Sequence, residues 1–146
     1  MGGEALALDL ETEGLDPHVH RVLLLAVGVD RDQLLVDCRK TRIDPLLPLL
    51  EGDVPKVTHN GAFDLAMLRG LGVRARRVLD TMLLEQLIAS GRDTGPLSLA
   101  ALAERYLGMG LDKSERIGFT SHRGAFTSAQ LEYARRDILA THQVLL

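Results

Sequence analysis

Between Ala5 and Glu11 the chain alternates, with Leu6, Leu8 and Leu10 at even positions and Ala5, Ala7, Asp9 and Glu11 at odd ones. Successive side chains of a β-strand point to opposite faces, so this stretch predicts a strand with one all-leucine face and one face of small and acidic residues. The leucine face demands a covering of helices. The other face sets Asp9 and Glu11 side by side, where two carboxylates repel unless a cation lies between them. Gly14 and Asp16-Pro17 then end the strand. Taken alone, Asp-x-Glu is also what an exposed, polar strand end looks like, and the rest of the chain has to decide between the two.

With 146 residues, the chain is long enough for one domain with a real core and too short for two, so residues 1–146 are expected to form a single domain. No apolar run approaches the ~20 residues that span a bilayer, and no membrane association is expected. Met1-Gly-Gly-Glu4 puts no basic segment before an apolar stretch, so no signal peptide is expected and the cytoplasm is the default compartment. Cys38, the one cysteine, excludes an internal disulfide and any cysteine-based zinc site, and its apolar surroundings predict a structural thiol. A formal charge of −3 argues against a protein that coats nucleic acid through phosphates alone. It leaves room for an enzyme that gathers acids around metal ions. Arg74, Arg76 and Arg77, and Arg135-Arg136, are the basic clusters, either solvated faces or substrate contacts.

Residues 21–29 and 33–38 are apolar runs of strand length separated by Asp30-Arg31-Asp32, which with the first strand predicts a three-stranded antiparallel meander. Thr41 is placed to cap a short helix from about Ile43, made irregular by Pro45 and Pro48. Short strands at 54–58 and 76–79 alternate with helices over about 61–70 and from Thr81 to the stop at Gly91. Ser98 caps a helix with an apolar stripe of Leu99, Leu102, Ala103, Tyr106 and Leu107. Residues 111–126 are polar with two glycines and read as a mobile loop. Thr127 to Gln130 is a capping box opening a last helix whose buried face is Leu131, Ala134, Ile138, Thr141 and Leu145. The pattern is an α/β layer fold with a mixed sheet.

Two further acids stand in marked positions. Asp64 lies at the start of the helix after His59-Asn60-Gly61, with Asn60 four residues before it, and would serve equally as an acid complementing the helix dipole. Asp137 follows Tyr133 by one helical turn, and alone would be an exposed helix acid paired with an arginine, as Tyr133 alone would be a packing residue.

Together, Asp9, Glu11, Asp64, Tyr133 and Asp137 occur in an order and local structure that resembles the DEDD superfamily of 3′–5′ exonucleases, in the branch with tyrosine in the third motif. ALDLETEGLDP at 5–17, HNGAFDLAML at 59–68, VLDTMLLEQ at 78–86, LSLAALAERYLG at 97–108 and LEYARRD at 131–137 are most similar to the proofreading domain of family A (polymerase I-type) DNA polymerases. LDKSE at 111–115 is similar to ribonuclease D, the nearest sister group. The histidine branch of the superfamily needs His five residues before the last acid, where this chain has Glu132.

The resemblance implies a ribonuclease H-like fold and a site for two divalent cations, Mg²⁺ or Mn²⁺. Asp9, Glu11 and Asp137 would hold the first, with Asp9 bridging to the second and Asp64 acting on it directly or through water. Hydrolysis of a phosphodiester suits such a pair, since one ion activates water while the other offsets charge on the leaving oxygen. Tyr133 would align the attacking water; with a phenol pKa near ~10 it is a poor base at neutral pH. Thr12 and Leu15 match residues that meet the terminal nucleotide, and Asn60 and Phe63 match second-motif contacts. The family's aromatic contact to the terminal base has no clean counterpart in the loop from Gly108 to Gly118; either Phe119 or Phe126 substitutes, or the loop closes only on substrate.

The expected activity is therefore metal-dependent removal of nucleotides from a single-stranded or frayed 3′ end, with release of 5′-monophosphates. DNA is favoured over RNA, and a polymerase domain or partner is possible. The alternative is a ribonuclease D-like exoribonuclease. A non-catalytic nucleic-acid clamp is a third reading, disfavoured because all four acids are present.

Overall fold

The computed structural model describes residues 5–111, 118–119 and 123–146. Among these, one sheet comprises β1 (Leu6–Thr12), β2 (Val22–Val29), β3 (Asp32–Asp37), β4 (Lys56–Thr58) and β5 (Val78–Asp80), in the order β3-β2-β1-β4-β5. The first three strands pair antiparallel and the last two join in parallel, which is the ribonuclease H-like mixed sheet that the resemblance implies. Parallel neighbours need crossover connections, and helices supply them. A 3₁₀ turn (Asp44–Leu46) leads into α1 (Leu47–Leu50), followed by α2 (Gly61–Gly70), α3 (Thr81–Ala89), α4 (Leu99–Leu107) and α5 (Ser128–Leu145). No described helix is long and apolar enough to cross a membrane.

Both faces of the sheet are covered. Leu8 and Leu10 of β1 pack with Leu50, Met67 and Leu68 from α1 and α2 on one side. Ala7 packs with Ala134 and Ile138 of α5 on the other. Small residues at 5 and 7 let α5 lie close to the strand that carries Asp9 and Glu11. β2, central and covered twice, is apolar throughout, as a doubly buried strand must be. Its register against β1 slips after Glu11, which faces Leu24, while Thr12 faces Val22. Leu23 and Leu24 consequently both pack toward α5. This irregularity increases local twist at the acidic end of β1.

The helix starts follow local chemistry. Thr127 Oγ1 accepts from Gln130 N at 3.1 Å and Gln130 Oε1 accepts from Thr127 N at 2.9 Å, completing the capping box of α5. Ser98 Oγ accepts from Ala101 N and begins α4. Asp80 has a larger role than ending a strand. Its Oδ1 accepts from Met82 N at 2.9 Å and from Asn60 N at 3.1 Å, and its Oδ2 from Gly61 N at 2.8 Å, so it ties the first turns of α2 and α3 together. Asn60 sits at the head of α2 in the left-handed region (φ 61°), and a Cβ on Gly61 would lie 2.1 Å from Thr58 Oγ1. Only glycine permits that tight exit from β4.

Three expectations need correction. Thr41 does not cap the short helix; Ile43 precedes it without a side-chain cap, and Pro45 stands in its first turn. Tyr106 is not on the buried stripe of α4, where Leu102 and Ala103 are buried; its ring is half exposed, and its hydroxyl donates to Glu85. Most of the predicted 111–126 loop lies outside the described residues, and Gly118 and Phe119 within it are helical. Cys38 matches its reading as a structural thiol, since burial pushes its pKa up to about 11.

Because Asp80 serves backbone donors of two helices, Asp80→Ala should cost about 2–3 kcal/mol in urea-induced unfolding, more than one helix cap alone. A loss below ~0.5 kcal/mol, the usual scatter of surface substitutions, would show that the two helices do not depend on it.

Candidate active site

Asp9 and Glu11 project from β1 toward α5, and Asp137 comes down from that helix to meet them. Each can place a carboxylate oxygen so that all three lie within 4.8 Å of one another. Glu11 is buried, while Asp9 and Asp137 are half-buried. Asp64, 3% exposed on the first turn of α2, lies outside this trio and lines the same cavity. Hard, anionic oxygens in such a group suit Mg²⁺ or Mn²⁺.

The cavity has a volume of about 340 Å³, at the lower end of the ~300–1,000 Å³ typical of small-molecule sites. Its acidic side is formed by Asp9, Glu11, Asp64 and Asp137. Phe63, Met82, Leu97, Leu99 and Leu111 make an apolar side, with Ser98 and Ala100 between them at the start of α4. Asn60, Phe63 and Tyr133 also line it. Thr12 and Leu15 do not. Thr12 Oγ1 donates to Gly14 O at 2.8 Å and shapes the turn, while Leu15 is 74% exposed beyond the cavity wall.

Electrostatics follow from burial. Desolvation, with Asp9 and then Asp80 adding like charge, raises the Asp64 carboxyl well above its ordinary pKa. Desolvation also raises the Tyr133 phenol far above its usual value, aided by Asp137 and Glu11 and by a hydrogen bond to Asp137. Tyr133 therefore holds its proton at any working pH and serves as a donor.

Phe119 and Phe126, the candidates for an aromatic base contact, do not line the cavity. Phe119 is 1% exposed, and its ring centroid lies 5.7 Å from that of Phe126 and 6.2 Å from that of Tyr133. Arg39 covers Phe126 at 4.1 Å. These rings pack behind Tyr133 and hold it in place. His59, which has no metal-ligand spacing, does line the cavity, and its Nδ1 lies 2.8 Å from Thr81 Oγ1. Its position just past β4 was a usable signal, because ligands of open α/β sheets gather at the carboxyl ends of parallel strands. Met82 and the Leu97–Ala100 wall carried no such signal.

In the metal-free protein Asp64 binds its proton more tightly when folded than when unfolded. The stability this contributes is fully present below the unfolded pKa of about 4 and is lost as pH rises through the folded pKa. Asp64→Asn, which does not ionise, should therefore melt higher than the parent in EDTA at pH 7, with the gap closing toward pH 4. A gap independent of pH would mean that Asp64 is not the strained acid.

The family model described as 3′-5′ exonuclease matches residues 2–145. Ribonuclease D of Zymomonas mobilis is 30% identical over 146 residues, covering 97% of this chain and 36% of its own length. The chain thus spans about a third of that relative. NrnC of Brucella melitensis aligns with 97% of the chain and 70% of its own, at a TM-score of 0.82, both with bound Mg²⁺ (26% identity) and bound to pGG (27% identity). Escherichia coli RNase D, an exoribonuclease involved in structured RNA processing, aligns with 97% of the chain and 39% of its own, at 28% identity and a TM-score of 0.80. With the family model matching nearly end to end, and four acids and a tyrosine assembled on one cavity, this chain belongs to the 3′–5′ exonuclease family of the DEDD superfamily.

Proposed function

We propose that this protein trims single-stranded RNA from the 3′ end, releasing nucleoside 5′-monophosphates, with two divalent cations at the acidic side of the cavity. The observation that carries this reading is the approach of Asp9, Glu11 and Asp137 to within 4.8 Å beside Tyr133. Asp9, Glu11 and Asp137 would hold one Mg²⁺ or Mn²⁺, and Asp9 with Asp64 the other. When bound, such ions supply the positive charge that lowers the pKa of water and offsets charge developing on the leaving 3′ oxygen. The Mg²⁺ bound by NrnC supports this assignment.

Tyr133 keeps its proton and orients the attacking water through its hydroxyl, and the Phe119 ring behind it limits its movement. Asn60 and Phe63, which line the cavity, would contact the terminal nucleotide. Leu15, exposed at the tip of its turn, and Thr12, at the turn's base, would meet the strand outside the cavity. The small cavity suits one terminal nucleotide, and a paired end must first unstack, which costs a few kcal/mol. RNA is placed ahead of DNA, reversing the preference read from the sequence, because two of the similar proteins are ribonucleases D. A polymerase partner has no support beyond the sequence resemblance.

Labelled single strands of RNA and DNA with one sequence, incubated with Mg²⁺ or Mn²⁺, should shorten stepwise from the 3′ end, RNA faster. Activity in EDTA, or equal cutting of circular strands, would sink the proposal. Faster DNA digestion would restore the first reading. Mn²⁺ at a hundredfold excess over its Kd should stabilise the fold by about 2.7 kcal/mol, and by much less in Asp9→Ala.

Tyr133→Phe keeps the ring and its packing, so the fold should be unaffected while the rate falls about ten- to a thousandfold, or ~1.4–4 kcal/mol of barrier. Asp137→Ala should be worse. Full activity of Tyr133→Phe would demote the hydroxyl to packing.

A further inference from the structure

Part of the cavity's apolar wall, Leu97 with Ser98 beside it, comes from the connection between α3 and α4. One side chain organises it. Arg105 Nη1 donates to Glu85 Oε1 at 2.6 Å, and Arg105 Nη2 donates to Thr94 O and, at 3.2 Å, to Pro96 O. The guanidinium thus straddles Gly95, whose φ of +82° makes the turn between those two carbonyls. Leu97 and Ser98, the next residues along, line the cavity. Glu85, 4% exposed, is occupied at both oxygens, since Oε2 accepts from Tyr106 at 2.7 Å. A buried carboxylate fully engaged in this way holds the arginine in a single orientation, and the planar fork transmits that orientation to two backbone carbonyls at once.

We propose that Arg105 is a positioning residue for the nuclease reaction. Held by Glu85, it sets the Leu97–Ala100 wall at the distance from the acids that the terminal nucleotide requires. The inference rests on the exonuclease reading and adds a determinant of substrate affinity remote from the chemistry. The wall meets the nucleotide on the side away from Asp9, Glu11 and Asp137. Its position should therefore govern binding in ground and transition states alike, which changes KM more than kcat.

Arg105→Lys preserves the charge opposite Glu85 and removes the fork, because one ammonium does not span the carboxylate and both carbonyls. It should raise KM for a single-stranded substrate about tenfold, with kcat changed less than about twofold. Mn²⁺ affinity, measured by calorimetry, should be unchanged. Tyr106→Phe removes one of the two bonds that hold Glu85 and leaves the fork in place, so it should raise KM clearly less than Arg105→Lys does. Leu97→Ala should raise KM, and combining it with Arg105→Lys should add little, since both act through one wall. If the lysine variant does not fold, the double variant Arg105→Gln/Glu85→Gln removes both charges together and carries the same expectation.

A parental KM in the folded variant, a fall in kcat alone, a Tyr106→Phe effect as large, or full additivity with Leu97→Ala would each overturn the assignment. Absence of 3′ trimming by the parent protein would instead overturn the exonuclease reading itself.

Discussion

Like charge held at short range is the constraint around which this structure is arranged. Carboxylates of Asp9, Glu11 and Asp137 converge within 4.8 Å, and Asp64 is buried beside them. Two unit charges 4 Å apart repel by about 4 kcal/mol at an effective dielectric of ~20, a large share of the ~5–15 kcal/mol that holds a domain folded. Such a group survives only on a backbone too rigid to let it spread. Two elements supply that backbone: β1, flanked by β2 and β4 in the sheet, and α5, the longest described helix. The alanines at 5 and 7 bring them together.

Charged residues away from the acids serve the same rigidity, each by satisfying groups that would otherwise be left without partners. Lys56, wholly buried on β4, donates to Leu49 O and Gly52 O at the end of α1, and burial lowers its pKa. Asp80 collects amides from α2 and α3. Glu85 anchors Arg105. An ion out of water costs far too much unless it is paired or hydrogen-bonded, and all three meet that condition through groups on other elements or the turns beside them. Strain concentrated at the acids is thus balanced by polar ties that fix the helices around them.

The cavity divides into an acidic half suited to phosphate chemistry through cations and an apolar half suited to a sugar and base. Aliphatic side chains and Phe63 make the second half, while the other two phenylalanines are packed behind Tyr133. Under the proposed function such a surface would accept every base, since each has an apolar face, and discrimination between RNA and DNA would turn on contacts to the 2′-hydroxyl.

Much of this was legible in the residues. The alternation at 5–11 placed two acids on one face, the capping box at Thr127 started α5 where the sequence said, and the Tyr133–Asp137 spacing set two groups on one helical flank. Local signals suffice for such features because strand and helix periods are properties of the backbone. What the residues alone did not reveal depends on which elements meet. Phe119 was an equal candidate for base contact until its burial against Tyr133 made it a support. Tyr106 lay on an apolar stripe, yet Glu85 drew its hydroxyl outward to a partner on α3. Asp80 looked like a strand end, and only the adjacency of β4 and β5 let it cap two helices. The sequence by itself determined that Asp9 and Glu11 share one strand face and that Tyr133 and Asp137 share one helix flank. The tertiary structure alone decided which side chains share a cavity and which hold its walls, because those depend on distances between segments that no local pattern encodes.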